Sequence, residues 1–336
     1  MTLVAQWRTL QAAAAGQRAY ATEVFDELGL DPEKLPRVHA ATDVVGKLTG
    51  PAASAMGLTA GIPVVAGGGD GACATVGAGA VRPGDTYCCI GTTAWIASTC
   101  RESVIDDGQR VFDILSLDGQ TCGLFGTIQS AGRSLDWVLE LLGEPGFKRF
   151  EELLGSAPAG SGGLVFLPYL EGERSPVFDP QARGVFFGIT PGHGREHFLR
   201  AVTEGVSFAL RSVLDVMRES GTVATMRLIG GGAQSAAWQQ MLADVCDVEM
   251  QLLSTRAADA TSLGAAIAAG VGVGLFPSMA QGVQSIAVTE HRTPQAARTA
   301  VCEPLYNLFR SLYPRLRPAY AELQRCLAGA AGPQET

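Results

Sequence analysis

Apolar and polar residues alternate along this chain in segments of two kinds. Short apolar runs bounded by glycine, proline or aspartate predict strands, and longer segments whose apolar side chains recur every three to four residues predict helices. The predicted strands are 62–66, 86–90, 94–97, 109–117, 121–128, 164–167, 226–229 and 248–253. The predicted helices are 22–28, 52–58, 130–142, 195–218, 236–244, 262–270 and 301–327. This succession predicts an α/β protein.

The chain is organised around the segment 62–97. Its first apolar run, which we interpret as a buried strand, ends in three glycines and one acid, Asp70. The small residues that follow allow a helix to pack close to a loop or a ligand. Two further predicted strands enclose Gly91, Thr92 and Thr93, which predict a hairpin tip. A carboxylate beside a glycine loop, followed by a Gly-Thr hairpin, suggests a base next to a phosphate-binding loop.

A second glycine cluster follows the strand 226–229. It contains Gly231, Gly232 and Ala233, and a helix begins near Ala236. Tight turning alone can explain either glycine loop. Two such loops at strand-to-helix junctions, together with the Gly-Thr hairpin, favour phosphate or nucleotide binding, because backbone N–H groups without side chains in the way can point at an anion.

Composition narrows the class of protein. A length of 336 residues is sufficient for two domains, and the net charge of −8 argues against a nucleic-acid-binding surface. No apolar run is long enough to span a bilayer, so we expect no membrane partner and a cytoplasmic location. The eight cysteines include no C-x-x-C pair; we therefore assign no metal-ligating residue and expect mostly buried, reduced thiols.

A dinucleotide-binding oxidoreductase is an alternative from another class. Gly67, Gly69 and Ala72 fit the G-x-G-x-x-A fingerprint after a strand. However, Asp70 lies inside this loop, where it would repel a pyrophosphate, and Asp85 precedes the second strand instead of ending it. The Walker pattern G-x-x-x-x-G-K-[ST] is also missing from the sequence.

Asp70 suits the chemistry of phosphoryl transfer. A sugar hydroxyl is a poor nucleophile at neutral pH, and a positioned carboxylate can accept its proton while the hydroxyl attacks a γ-phosphoryl group. Asp70 as the N-cap of a helix is the structural alternative, and the two roles are compatible.

Several segments together resemble the FGGY carbohydrate kinases, most closely the xylulokinase and gluconokinase branch. The segments that carry the resemblance are 67–70, 81–85, 91–93, 166–176, 184–190, 197–205, 229–235 and 238–244. The resemblance implies an actin-like ATPase fold of the ribonuclease H-like type, with two α/β domains and a cleft between them. It assigns residues 1–82 to the last part of the first domain and residues 83–336 to a complete second domain, which binds the nucleotide.

The same resemblance implies an ATP-dependent sugar kinase that uses Mg²⁺ and a small sugar or sugar acid, with a xylulose-like substrate favoured. It gives Asp70 the roles of general base and substrate contact. The implied nucleotide contacts are Gly91, Thr92 and Thr93 at the β- and γ-phosphates, Gly132 near the nucleotide, Gly231, Gly232 and Ala233 at the adenosine, and Ala236 on the adenine side. Gly71 stands where many xylulokinases have Asn, which leaves the identity of the sugar open.

The family's opening hairpin, with its Asp-x-Gly-Thr phosphate loop, has no counterpart in this sequence. An alternative to the active kinase is therefore a truncated, catalytically impaired nucleotide-binding remnant, or one part of a complemented pair. We expect the chain alone to bind nucleotide weakly and to phosphorylate poorly or not at all. We also expect an exposed sheet edge that promotes association, and the resemblance is compatible with a homodimer.

Overall fold

The computed structural model describes residues 27–29, 31–34, 36–104, 106–144, 146–221, 223–254 and 259–330. The predicted helix 22–28 lies, except for its last two residues, outside this part of the chain.

Strands and helices follow one another along the chain much as the apolar pattern predicts. The strands are β1 (Val44–Lys47), β2 (Pro63–Val65), β3 (Thr86–Ile90), β4 (Ala94–Cys100), β5 (Phe112–Leu115), β6 (Cys122–Ile128), β7 (Val165–Leu167), β8 (Val185–Phe187), β9 (Thr225–Ile229), β10 (Glu249–Leu253) and β11 (Val288–Arg292). The helices are α1 (Gly50–Met56), α2 (Asp70–Gly77), α3 (Gly132–Leu141), α4 (Phe147–Ser156), α5 (Arg195–Arg218), α6 (Ala236–Cys246), α7 (Ala260–Gly272), α8 (Met279–Gly282) and α9 (Ala296–Ala330). Strands β1, β8 and β11 and helices α4 and α8 were not predicted, and β5 is shorter than its predicted span.

The main sheet has seven strands in the order β11-β10-β9-β3-β4-β6-β5. Strand β9 runs parallel to both β3 and β10, and the other neighbouring pairs are antiparallel. Because β3 and β9 are parallel neighbours, the segments that follow them leave the sheet at the same edge, where ligands of open α/β sheets ordinarily bind.

Both faces of this sheet are covered, since successive side chains of a strand point to opposite faces. Cys88, Ile96 and Leu124 belong to the larger core together with apolar residues of α5. Tyr87, Ala97 and Phe125 belong to a second cluster that includes residues of α2 and α7. The result is three layers, with the sheet in the middle.

Helix α5 confirms the predicted helix 195–218, including its apolar stripe. The stripe also carries a buried acid, Glu204, which is fully partnered. Its carboxylate accepts hydrogen bonds from Arg200 Nε (2.8 Å), the Gly160 N–H (2.9 Å) and Ser161 Oγ (2.8 Å). These bonds tie α5 to the loop before β7 and offset the desolvation of the charge.

The prediction of a buried strand at 62–66 is wrong. Strand β2 pairs with β1 alone, in a separate antiparallel ribbon. Ile62 and Val64 retain 42% and 41% of their exposure. An apolar run indicates that a strand is suited to burial, but burial requires a covering layer. Among the described residues, the end of α7 approaches the ribbon at Val65 and leaves Ile62 and Val64 exposed.

Helices α2 and α7 pack in backbone contact because small residues line their crossing. A Cβ atom on Gly264 would lie 1.8 Å from the carbonyl oxygen of Cys73, and one on Gly77 would lie 1.7 Å from that of Ala260. Both positions therefore require glycine. The small residues after Asp70 were expected to pack close to a loop or a ligand, and their partner in the structure is a helix.

Five of the eight cysteines are buried, and all eight are free thiols. The expectation of mostly buried, reduced thiols is confirmed, with Cys326 as an exposed exception. Among the described residues, no helix combines the length and apolar character that a bilayer crossing requires.

Candidate functional site

The turn after β3 is the centre of the site. The Gly91 N–H donates to the carbonyl oxygen of Thr93 (2.9 Å), which closes the predicted hairpin tip between β3 and β4. The Thr92 carbonyl accepts the N–H groups of Ala131 (3.0 Å) and Arg133 (3.1 Å). The hairpin is therefore hydrogen-bonded to the segment that begins α3.

Two glycines allow neighbouring backbones to approach this hairpin. A Cβ atom on Gly132 would lie 2.6 Å from the carbonyl oxygen of Gly91. Gly230, which follows β9, has φ +92°, and a Cβ there would lie 2.4 Å from the carbonyl oxygen of Ile90. Three segments from distant parts of the sequence thus meet at the carboxyl edge of β3 and β9 with no side chains between them.

A cavity of about 370 Å³ opens where these segments meet. Its lining residues are Ile90, Gly91, Thr92, Gly132, Leu135, Asp136, Leu139, Gly146, Phe150, Gly231, Gly232, Ser235 and Trp238. It therefore contains five of the residues that the sequence analysis assigned to nucleotide contacts, namely Gly91, Thr92, Gly132, Gly231 and Gly232.

The cavity combines two kinds of wall. Glycines and the starts of α3 and α6 form one part, and the dipole at the N-terminus of a helix favours an anion there. Leu135, Leu139, Phe150 and Trp238 form an apolar part that suits a planar ring. Such a site can hold a molecule with an aromatic base at one end and phosphates at the other.

The cavity contains one acid, Asp136. In the described part of the chain, no three His, Cys, Asp or Glu side chains are arranged to hold a metal ion. This arrangement fits Mg²⁺, which proteins usually bind through one or two carboxylates together with substrate phosphates and water.

Three other assigned nucleotide contacts lie next to the cavity but do not line it. Thr93 is the exposed end of the hairpin tip. Ala233 is half-buried in the 3₁₀ turn Gly231–Gln234, and its carbonyl accepts a hydrogen bond from Gln239 Nε2 (2.7 Å). Ala236 is the exposed first residue of α6. Their contact with a nucleotide stays a prediction.

Asp70 is the first residue of α2, and its side chain is exposed. The N-cap residue is Gly69, so the N-cap assignment of Asp70 is wrong. Asp70 Oδ1 accepts the N–H of Gly71 (2.8 Å), which directs the carboxylate to the start of its own helix. Asp70 does not line the cavity, and its role as a base stays a prediction.

A buried hydroxyl that the sequence analysis missed links the helix of Asp70 to the hairpin. Tyr87 Oη accepts a hydrogen bond from Trp95 Nε1 (3.0 Å) and lies 3.2 Å from Thr75 Oγ1 and 3.4 Å from the Gly71 carbonyl oxygen. Trp95 follows the hairpin tip directly on β4. Burial raises the pKa of Tyr87 far above its ordinary value, so the hydroxyl keeps its proton. Tyr87 lies within an apolar run, where no sequence signal distinguishes it from a core residue.

The structure argues against the dinucleotide-binding alternative. That fingerprint requires a parallel βαβ unit. Strand β2, which precedes Gly67 and Gly69, pairs antiparallel with β1 and belongs to a different sheet from β3.

A glycine-lined cavity at the carboxyl edge of two parallel strands lies where open α/β sheets ordinarily bind their ligands. A family model, the C-terminal domain of the FGGY family of carbohydrate kinases, matches residues 83–273, more than half of the chain. The model of that family's N-terminal domain matches residues 12–77. The chain belongs to the FGGY family of carbohydrate kinases.

Relatives in this family include curated sugar kinases. The chain is 33% identical to the xylulose kinase of Bacillus subtilis over 302 residues, which are 88% of this chain and 60% of the relative. It is 28% identical to the gluconokinase of the same organism, again over 88% of this chain and 60% of the relative. The chain thus spans about 60% of the length of the curated relatives that it matches.

The fold also matches solved structures. The ligand-bound xylulose kinase of Lactobacillus acidophilus superposes with a TM-score of 0.85 at 25% identity, over 91% of this chain and 62% of the neighbour. The gluconate kinase of the same organism gives a TM-score of 0.84. The family resemblance and the actin-like fold are therefore confirmed.

Proposed function

We propose that this protein takes part in ATP-dependent phosphorylation of a hydroxyl group on a small sugar or sugar acid. The observation that carries the proposal is the cavity at the shared edge of β3 and β9, where five glycine-hairpin and glycine-loop residues assigned to nucleotide contacts converge. Family membership supplies the reaction class.

In this proposal, different parts of the cavity wall contact the phosphates and the base of the nucleotide. The hairpin Gly91–Thr93 and the glycine loop Gly231–Gly232 face the phosphate chain, because backbone without side chains can approach it closely, and the dipole of α3 favours the negative charge there. Phe150 and Trp238 pack against the base. Bound ATP supplies the phosphoryl group, and Asp136 is the cavity acid available to hold its Mg²⁺.

Asp70 completes the proposal as general base. An exposed carboxylate at the end of a glycine loop is free to accept the proton of a sugar hydroxyl as that hydroxyl attacks the γ-phosphorus. The buried Tyr87 hydroxyl supports the geometry by holding the first turn of α2 against the strand that leaves the hairpin.

The substrate is proposed as a ketopentose or an aldonic acid, because the relatives named above are xylulose kinases and gluconokinases. Gly71, directly after Asp70, presents no side chain that would select between them. A xylulose-like sugar is our first choice.

The test is sugar-dependent ADP formation with xylulose, ribulose, gluconate and glycerol. Replacing Asp70→Asn should lower the rate on the accepted sugar by about 10²–10⁴-fold while leaving ADP binding intact, since a positioned base contributes about that much. Asp107→Asn, an exposed acid between β4 and β5, is the matched control and should retain the wild-type rate. Equal rates in the Asp70→Asn variant and the wild type would remove Asp70 from the mechanism.

A second candidate is nucleotide binding without phosphoryl transfer by this chain alone. The observation that favours it is the position of Asp70, exposed and outside the cavity, after a ribbon that leaves Ile62 and Val64 exposed. ADP binding measured by calorimetry, with no sugar-dependent turnover on any of the four substrates, would select this candidate.

A further inference from the structure

The loop between β7 and β8 contains an acid whose burial the proposed function does not explain. Glu173 keeps only 4% of its exposure. Its Oε1 atom accepts two backbone hydrogen bonds, from the N–H of Arg174 (2.7 Å) and from that of Gln129 (2.7 Å). The next residue but one, Ser175, donates its N–H to the Thr127 carbonyl (2.8 Å). The loop is therefore joined to the end of β6 by a side-chain bond and a backbone bond.

This attachment lies directly before the cavity. Gln129 is the first residue after β6, and Gly132 begins α3 and lines the cavity. The N–H groups of Ala131 and Gly132 donate to the carbonyls of Thr92 and Gly91 in the hairpin. The β6–α3 turn, residues 129–132, is thus held by the hairpin on one side and by the carboxyl group of Glu173 on the other.

The surroundings of Glu173 show that the carboxyl group is held at a cost. Glu173 Oε2, Thr127 Oγ1 and Ser130 Oγ are buried and have no hydrogen-bond partner among the described residues. Buried polar atoms are ordinarily paired, and an apolar side chain would remove the unpaired Oε2 atom together with the acceptor of the two N–H bonds. A carboxyl group is needed here only if its contact with the turn matters.

The charges near Glu173 are few. Arg174 lies beside it in the loop, Tyr169 lies on the preceding segment, and the exposed Arg133 of α3 pairs with Glu171 at 3.6 Å. Burial raises the pKa of Glu173 to about 8, although the N–H groups of Arg174 and Gln129 and the charge of Arg174 lower it. The carboxyl group is therefore largely protonated at neutral pH.

We propose that Glu173 is a positioning residue for the nucleotide cavity, and that its carboxyl group fixes the β6–α3 turn so that Gly132, and with it Gly91 and Thr92 of the hairpin, keep their places in the cavity wall. The identity of the ligand rests on the proposed function, whereas the effect on the turn rests on the contacts alone. Glu173 acts through the turn and touches neither ATP nor sugar.

The test compares two substitutions in the full chain. Glu173→Gln keeps an oxygen acceptor for the two N–H groups and is neutral, like the protonated acid. Glu173→Leu has a similar volume and no acceptor. We expect Glu173→Leu to weaken ADP binding by about tenfold or more, because it leaves the buried Gln129 N–H unpaired, and Glu173→Gln to stay within about threefold of the wild type.

The matched control is Glu171→Gln, which removes an exposed acid from the same loop and should bind ADP like the wild type. The pH dependence of ADP affinity is a further measurement, which a purely structural role of Glu173 would leave unchanged. Ionisation of Glu173 places a buried negative charge beside the turn that forms the wall of the proposed anion site. ADP affinity of the wild type should therefore decline between about pH 7 and pH 9, and Glu173→Gln should lack this decline. Identical profiles, or a folded Glu173→Leu variant with wild-type affinity, would overturn the proposal.

Amide hydrogen exchange separates this proposal from the proposed function. If the wild type binds no ADP, the proposed function fails, and the role of Glu173 is judged by exchange in residues 129–133. Faster exchange there in Glu173→Leu, with no change in Glu171→Gln, supports the positioning role. Unchanged exchange in both variants overturns it.

Discussion

Two regions of this protein have similar local sequences and different environments. The acid junction, residues 66–77, contains the glycine loop, Asp70 and helix α2. The cavity edge comprises residues 90–93, 129–136 and 230–238. Both place glycines between a strand and a helix. The strand of the acid junction belongs to an exposed two-stranded ribbon, whereas the strands of the cavity edge belong to a sheet covered on both faces.

The comparison shows that glycine clusters with similar sequences can have different structural roles. At the cavity edge, Gly132 and Gly230 let three backbones meet, and Gly231 has open space beside it. At the acid junction, Gly77 meets α7 in backbone contact, so that helix packing explains the small residue. Whether a glycine allows close helix packing or close approach of a ligand depends on what lies opposite it in the fold.

The largest expected effect concerns the buried acid beside the cavity edge. The pKa of Glu173 is about 8 in the folded chain, against an ordinary value of 4.5. As pH rises from about 4.5, the unfolded state ionises first, so the folded state loses relative stability until pH passes about 8. The free energy of unfolding of the wild type should fall relative to Glu173→Gln by up to about 5 kcal/mol over this range. Urea denaturation at a series of pH values measures it, and parallel curves for the two proteins would contradict it.

A second prediction tests the helix contact at the acid junction. Gly264→Val places a side chain where the carbonyl oxygen of Cys73 lies, so α2 and α7 must separate. We expect a loss of about 3 kcal/mol or more in the free energy of unfolding. Ala265→Val, at an exposed position of the same helix, controls for β-branching and should cost about 0.5 kcal/mol. Similar losses in the two variants would show that the contact is less close than described.

A third prediction concerns the Tyr87 hydroxyl, which connects helix α2 of the acid junction to strand β4 after the hairpin. Tyr87→Phe removes the hydroxyl that joins Trp95 to the first turns of α2 and should cost about 2 kcal/mol, because buried polar partners are left unpaired. A double-mutant cycle with Trp95→Phe measures the coupling. Additive effects of the two substitutions would indicate that the hydrogen bond contributes nothing.

The smallest expected change in stability is at Gly231. No atom lies within 4 Å of the position that a Cβ would take at this glycine, so Gly231→Ala should alter the free energy of unfolding by less than about 0.5 kcal/mol. The methyl group narrows the cavity, and ADP affinity should fall roughly threefold to tenfold. In Gly232→Ala, by contrast, the Cβ would lie 2.6 Å from Ile90 Cγ2, and stability should fall. Unchanged ADP affinity in Gly231→Ala would place the nucleotide elsewhere.

Much of the fold and part of the site could be predicted from the chain's pattern. The strand that contains Tyr87, the long helix α5 and the junction at Gly230–Ala236 follow from local periodicity and glycine placement. The burial of Glu173 could not be predicted, because it depends on a hydrogen bond to Gln129, 44 residues away in sequence. The hydrogen bonds of Tyr87 could not be predicted for a similar reason, since its partners lie on other elements.

Local patterns in the chain predicted most of the strands and helices, the glycine-rich junctions and the family, because each depends on residues that are close together in the chain. The tertiary structure alone decided that β2 stays outside the main sheet, that the cavity edge assembles from three segments, and that Asp70 lies apart from the cavity lining. Strand pairing and burial are contacts between distant segments, and a local pattern of apolar residues specifies that a surface must be covered without specifying what covers it.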